Sequence, residues 1–212
     1  MSTQTLSIDR PAAVRRAKLL NKVTIGYNVT EAVVSLAAGF AAGSVSLIGF
    51  GLDSSIEVSA ALILAWRLHQ ERHDDCKQPS DRLATRAIAI SFWVLAGYVG
   101  FEAVRDLVTA SAPEASIVGI VVASVSLVVM PVLARAKRRL APALGSQAAN
   151  ADAAQTNLCA LLSGVLLVGV GANALLGWWW ADPAAAIAIA GLAATEGVRT
   201  WRAEALEDTC CA

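Results

Sequence analysis

Charge is scarce in this chain: Asp, Glu, Lys and Arg make up 16% of 212 residues, against 56% that are hydrophobic. A soluble domain carries about a quarter charged residues, so the shortage excludes an ordinary soluble fold and points to a membrane protein. The mean hydropathy of +0.57 agrees. Charges of the two signs also cancel, 17 against 17. That balance gives no support for nucleic-acid binding, and no nucleic-acid partner is expected. Residues 1–22 lack the short apolar stretch and small-residue cleavage site of a secretory signal, so the first hydrophobic run is expected to do the targeting. There is no β-alternation, no low-complexity run, and no nucleophile–base pair or phosphate loop to support a soluble enzyme. The four cysteines have no disulfide-framework spacing, and two of them, Cys210 and Cys211, lie together at the C-terminus.

What is present is a series of long apolar runs. A membrane-spanning helix needs about 20 mostly apolar residues. Six segments meet or approach this, at 23–42, 45–67, 85–107, 115–134, 150–176 and 183–201. The expected fold class is an all-α, six-helix transmembrane bundle. Its connections are short: Gly43-Ser44 is one, and Trp178, Trp179 and Trp180 form an aromatic belt in another, before Pro183 in the first turn of the last helix. Pro131 is expected to kink the fourth helix and Pro142 to break the loop after it. Gly39 and Gly43 form one Gly-x-x-x-Gly at a helix end, a weak dimerisation signal.

Lys and Arg gather on one side of these segments, in 10–22, 67–86, 135–139 and 199–202, while the other side holds only Arg105. The positive-inside rule then puts both termini in the cytoplasm. The expected organisation is a cytoplasmic segment 1–22, a six-helix domain 23–202 and a short cytoplasmic tail 203–212. A multi-pass protein of a bacterial-type inner or plasma membrane follows.

Asp53 and Glu57 interrupt the second apolar run four residues apart, on one helix face. Ionised groups at mid-membrane cost several kcal/mol unless compensated, so they read by default as functional. A second polar cluster opens the fifth segment: Asp152, Gln155 and Cys159 at i, i+3 and i+7 share a face. At about 1.5 Å rise per residue, Glu57 entered from one side and Cys159 from the other lie at similar depth. The expected metal ligands are therefore Asp53, Glu57, Asp152, Gln155 and Cys159. Carboxylate, amide and thiolate donors suit four-coordinate Zn²⁺, and a thiolate selects against Mg²⁺ and Ca²⁺. Metal binding displaces protons from such ligands, which is the basis for exchanging metal against H⁺.

The stretch Ser-Leu-Ile-Gly-Phe-Gly-Leu-Asp53-Ser-Ser-Ile-Glu57 resembles the second helix of the cation diffusion facilitator family. The stretch Asn150-Ala-Asp152-Ala-Ala-Gln155-Thr-Asn-Leu-Cys159 resembles that family's matching motif, Ala-Asp-Ala-x-His-x-x-x-Asp, and Trp-Ala-Asp182-Pro183 matches its step into the sixth helix. The resemblance covers roughly residues 20–202. It implies a six-helix divalent-cation transporter, commonly homodimeric, that exports Zn²⁺ in exchange for protons and carries no prosthetic group. By position Asp53 and Glu57 take the first ligand pair, and Gln155 and Cys159 stand where the family has His and Asp. The family's cytoplasmic metal-binding domain has no counterpart after Arg202, as in a compact subgroup. Rival readings are a metal-binding membrane sensor or partner subunit without flux, and a transporter of Mn²⁺, Fe²⁺ or Cd²⁺.

Among the remaining polar residues, Glu31 in the first helix is expected either to join an ion or proton path or to hydrogen-bond neighbouring helices. Glu102 and Arg105 are expected to form a local ion pair, and Glu196 to reach water. His69, His73, Asp74, Asp75, Cys76, Cys210 and Cys211 are candidates for metal capture, with a solvated loop and tail the plainer account.

Overall fold

The computed structural model describes residues 10–70, 79–110, 114, 116–144 and 147–207. Six helices follow one another: α1 (Arg10–Ala42), α2 (Val45–Gln70), α3 (Pro79–Thr109), α4 (Ile117–Leu144), α5 (Gln147–Leu176) and α6 (Ala181–Glu207). All six expected segments are helical. Four of the helices, α1, α2, α4 and α5, contain spans long and apolar enough to cross a membrane, the most apolar being Ile117–Leu144. With short connections, successive helices alternate in direction, so α2 and α5 run antiparallel. The central element is α2, which packs on α1, α3, α5 and α6, while α4 lies against α5 and α1.

The α1–α2 corner shows how the sequence sets this packing. Gly43 ends α1 at φ +63°, a left-handed conformation that favours glycine. Ser44 then caps α2, its Oγ accepting a hydrogen bond from the Leu47 N–H at 3.2 Å. The next turn brings α2 so close to α1 that a Cβ on Gly39 would stand 2.9 Å from the Ile48 nitrogen. Gly39 is thus used within the chain, to seat α2 on α1. From the start of α6, Asp182 completes the corner. Its carboxylate accepts hydrogen bonds from Ser44 Oγ at 2.6 Å and from Ser46 Oγ, and is 1% exposed. An anion at the N-terminus of α2 is also favoured by the helix dipole.

Two helices run further than the hydropathy indicates. α1 begins at Arg10, a dozen residues before the expected span, and α4 continues to Leu144 through both Pro131 and Pro142. The expected break at Pro142 does not occur. The extended turns of α4 pack Leu140, Ala141 and Leu144 against Ala13 and Ala17 of α1, and this burial offsets the lost backbone bond. The consequence is that residues 135–139 are helical, with sides, and not a loop.

At the opposite end, Trp178 and Trp180 stack at 5.3 Å and are exposed, as an interfacial belt requires. Glu102 and Arg105 pair at 2.8 Å as expected, and Glu196 pairs with Arg199 at 3.4 Å. Replacing Asp182 with Ala should lower the stability of the purified protein by about 1.5–3 kcal/mol, because two buried hydroxyls lose a charged acceptor. Thermal unfolding in detergent measures it, and Asp182→Asn should cost less.

Candidate functional site

Both carboxylates of α2 are buried, Asp53 at 1% and Glu57 at 0% exposure. At about 1.5 Å per residue they lie roughly 12 and 18 Å along α2 from Val45, inside the Val45–Ile63 span that is long and apolar enough to cross a membrane. Their surroundings differ. Glu57 Oε1 accepts a 2.5 Å hydrogen bond from Thr156 Oγ1 on α5 and has the Lys137 ammonium of α4 at 3.7 Å. Its other oxygen has no protein partner. Asp53 has none on either oxygen.

Opposite α2, the first turns of α5 present Asp152, Gln155, Thr156 and Cys159, all buried. The Cys159 thiol sits among the carboxylates of Glu31, Asp53 and Glu57, with its sulfur 3.8 Å from Glu31 Oε2, and it is not disulfide-bonded. Gln155 leaves its Nε2 unpartnered. Asp152 is drawn away from this group, toward Lys137: Nζ donates to Asp152 Oδ1 at 3.0 Å and to Thr156 Oγ1 at 2.8 Å. Among the described residues, no three His, Cys, Asp or Glu side chains converge on one ion in this conformation. Asp53, Glu57, Gln155 and Cys159 therefore share the α2–α5 interface, and Asp152 belongs to its basic end.

A third polar surface comes from α1. Asn21, Thr24, Asn28, Glu31 and Ser35 recur at alternating spacings of three and four, and each is at most 4% exposed. That spacing keeps them on one face, so α1 turns a polar stripe inward where a helix normally turns an apolar one. Glu31 lies at its centre, accepting hydrogen bonds from Ser54 of α2 at 2.7 Å and from Ser126 of α4. The Tyr27 hydroxyl pairs with Ser126 Oγ at 2.7 Å. Of the two roles expected of Glu31, the structure supplies the hydrogen bonds to neighbouring helices. Asn28 is fully buried with neither side-chain polar atom partnered, and Asn21 donates to the Ala61 carbonyl at 2.7 Å.

Sequence reasoning missed Lys137 and Thr156. Lys137 stands in a basic run that reads as a solvated loop, yet it is 6% exposed whereas Arg135, Arg138 and Arg139 are exposed. The signal that finds it is α4's own periodicity: Met130, Leu133, Ala134, Lys137, Leu140, Ala141 and Leu144 form one buried face. His73, Asp74, Asp75, Cys76, Cys210 and Cys211 lie outside the described residues, as does the side chain of His69.

Comparison with known proteins gives one family match. The model described as the cation efflux transmembrane domain matches residues 22–207, which includes α2 and nearly all of the six-helix bundle. No curated protein matches the chain.

The unequal compensation of the two α2 carboxylates generates a stability prediction. Asp53→Leu should stabilise the metal-free protein by about 1–2 kcal/mol, since it removes an unpartnered buried carboxyl from an apolar helix. Glu57→Leu should destabilise it by about 1–3 kcal/mol, since the buried Thr156 hydroxyl loses its charged acceptor and Lys137 loses the more distant of its two carboxylates. Denaturation in the presence of a chelator measures both, and equal effects would contradict the assigned partners.

Proposed function

The chain belongs to the cation efflux family, a family of divalent-cation transporters, and we propose that it exports a transition metal, Zn²⁺ foremost, from the cytoplasm in exchange for protons. The ion binds between α2 and α5, with Asp53, Glu57 and Cys159 as its principal ligands and Gln155 or Asp152 completing the shell. The observation that carries this reading is Asp53: a fully buried carboxyl group in a membrane-spanning helix, with neither oxygen in a formed hydrogen bond and only the weakly donating Cys159 thiol beside it. Such a group is costly to keep. A bound cation, or a proton when the ion has left, supplies what the surrounding side chains do not. The free Oε2 of Glu57 and the nearby Cys159 sulfur are the two further donors that close on the ion when it binds, since they do not converge with Asp53 in the unloaded conformation.

Oxygen and sulfur ligands of this kind suit Zn²⁺, and each must be deprotonated to bind it, so loading the ion and releasing protons are linked. Alternating access then exposes the site to each side in turn. The bundle suits this, since α2 and α5 meet across a polar interface while the outer end of α2 is held by Asp182.

Proteoliposomes holding the purified protein should take up Zn²⁺ when a pH gradient is imposed, and Asp53→Ala or Glu57→Ala should reduce the initial rate by at least about tenfold, the scale of losing one ligand or its support. Undiminished uptake in both variants would remove the site assignment. Saturable binding without flux in the wild-type protein would instead indicate a metal sensor. Gln155→His, which replaces an amide with an imidazole nitrogen, should tighten Zn²⁺ binding by about tenfold or more, as read by a competition titration with a fluorescent chelator.

A further inference from the structure

We infer that Lys137 is a tethered stand-in for the transported cation: its ammonium occupies the basic end of the site in the unloaded protein, and the metal must displace it to bind. This rests on the metal site proposed between α2 and α5. Three observations carry it.

The first is burial. Of the basic residues at 135–139, Lys137 alone turns inward, with its side chain 5% exposed. An ammonium is not buried without a strong reason, because its desolvation is expensive. The second is the choice of partners. Nζ reaches Asp152 Oδ1 at 3.0 Å, Thr156 Oγ1 at 2.8 Å and Glu57 Oε1 at 3.7 Å. Two of these are carboxylates of the candidate ligand set, one on each helix of the site. The third residue, Thr156, passes the contact on to Glu57 through its own 2.5 Å hydrogen bond. Lys137 therefore satisfies Glu57 and Asp152 as a cation would, and leaves Asp53, one turn further in, without a partner.

The third observation is a small opening beside the ammonium. A cleft among α1, α4 and α5 reaches both Lys137 and Asp152 and is otherwise lined by Ala17, Leu20, Asn21, Leu140 and Leu144. The cleft has room for about one water, so the flexible four-carbon stem of lysine leaves its partners by a change of rotamer as the α1 side chains part, whereas arginine's planar fork needs a fixed geometry. A divalent ion held by Glu57 would stand a few ångströms from Nζ, and like charges at that distance in a poorly solvated interior repel strongly. Ammonium and metal are thus mutually exclusive. Lys137 competes with the ion for Glu57, neutralises the empty site and closes its basic mouth, so the unloaded protein does not carry bare carboxylates through its return.

The test uses the wild-type protein first. The full-length protein in detergent is acylated with an amine-reactive ester, with and without Zn²⁺, and the modification of each lysine is read by mass spectrometry against exposed Lys22. Zn²⁺ should raise the reactivity of Lys137 several-fold while Lys22 is unchanged. Unchanged or lowered reactivity of Lys137 in protein that binds Zn²⁺ overturns the inference alone, whereas a wild-type protein that binds no divalent metal takes the transport reading down with it. Lys137→Met, if it elutes as a folded protein, should bind Zn²⁺ about tenfold more tightly, the scale of removing one nearby like charge, while its maximal uptake rate falls. Lys137→Arg, which keeps the charge but leaves its partners less readily, should bind Zn²⁺ more weakly than the wild-type protein, and tighter binding would overturn the proposal. A folded Lys137→Met that binds Zn²⁺ no more tightly makes the lysine a static structural pair and overturns the proposal. The labelling result decides the matter for a variant that does not fold.

Discussion

A carboxylate inside an apolar bundle must be compensated, and the arrangement of the other helices follows from where α2 places two of them. Glu57 is met by Thr156 and by the one basic side chain of its run that turns inward. Glu31, contributed by α1, is met by hydroxyls from α2 and α4. Asp53, between them, has no hydroxyl, amide or ammonium partner, only the weakly donating Cys159 thiol nearby. In a static membrane protein, a lone buried acid would be replaced by an apolar residue at a gain in stability. Its place between two compensated neighbours, Glu31 and Glu57, is what the proposed metal site accounts for.

The spans were legible in the sequence because hydropathy over 20 residues is a strong signal. Asp53 and Glu57 were legible because a charge is conspicuous in an apolar run. What was hidden lay on helix faces, which a running average of hydropathy does not resolve. Asn21, Thr24, Asn28, Glu31 and Ser35 are dispersed among apolar residues, and only their 3–4 spacing shows that they form a line. Lys137 was concealed twice, by the arginines beside it and by Pro142, which reads as a loop signal until the packing of Leu140, Ala141 and Leu144 on α1 is known. The contact of Asp182 with Ser44 and Ser46 joins residues more than 130 positions apart. No local pattern encodes it.

The bundle divides by chemistry as well as by position. Polar side chains link α1, α2, α4 and α5 through hydroxyls, carboxylates and one ammonium. The pairing of α3 with α6 is of another kind. Trp93 and Trp201 meet at 5.4 Å, Arg86 lies over the Trp201 ring, and Gly197 leaves space against Trp93. Contacts of this sort tolerate sliding, since aromatic and small-residue surfaces have few directional bonds to break. Hydrogen-bonded carboxylates have discrete partners instead, and exchange them only in steps.

The corner formed by Gly43, Ser44, Ser46 and Asp182 has a mechanical consequence. It ties the ends of α1, α2 and α6 at one level, which makes it the pivot about which any tilt of α2 has to turn. α2 is 26 residues long, a rigid arm of about 39 Å. A rotation of about 10° about the pinned end moves the far end by roughly 7 Å, while Asp53, about a third of the way along, shifts by only about 2 Å. A small tilt is thus geared into a wide opening at the basic mouth, with little disturbance to the carboxylate nearest the pivot.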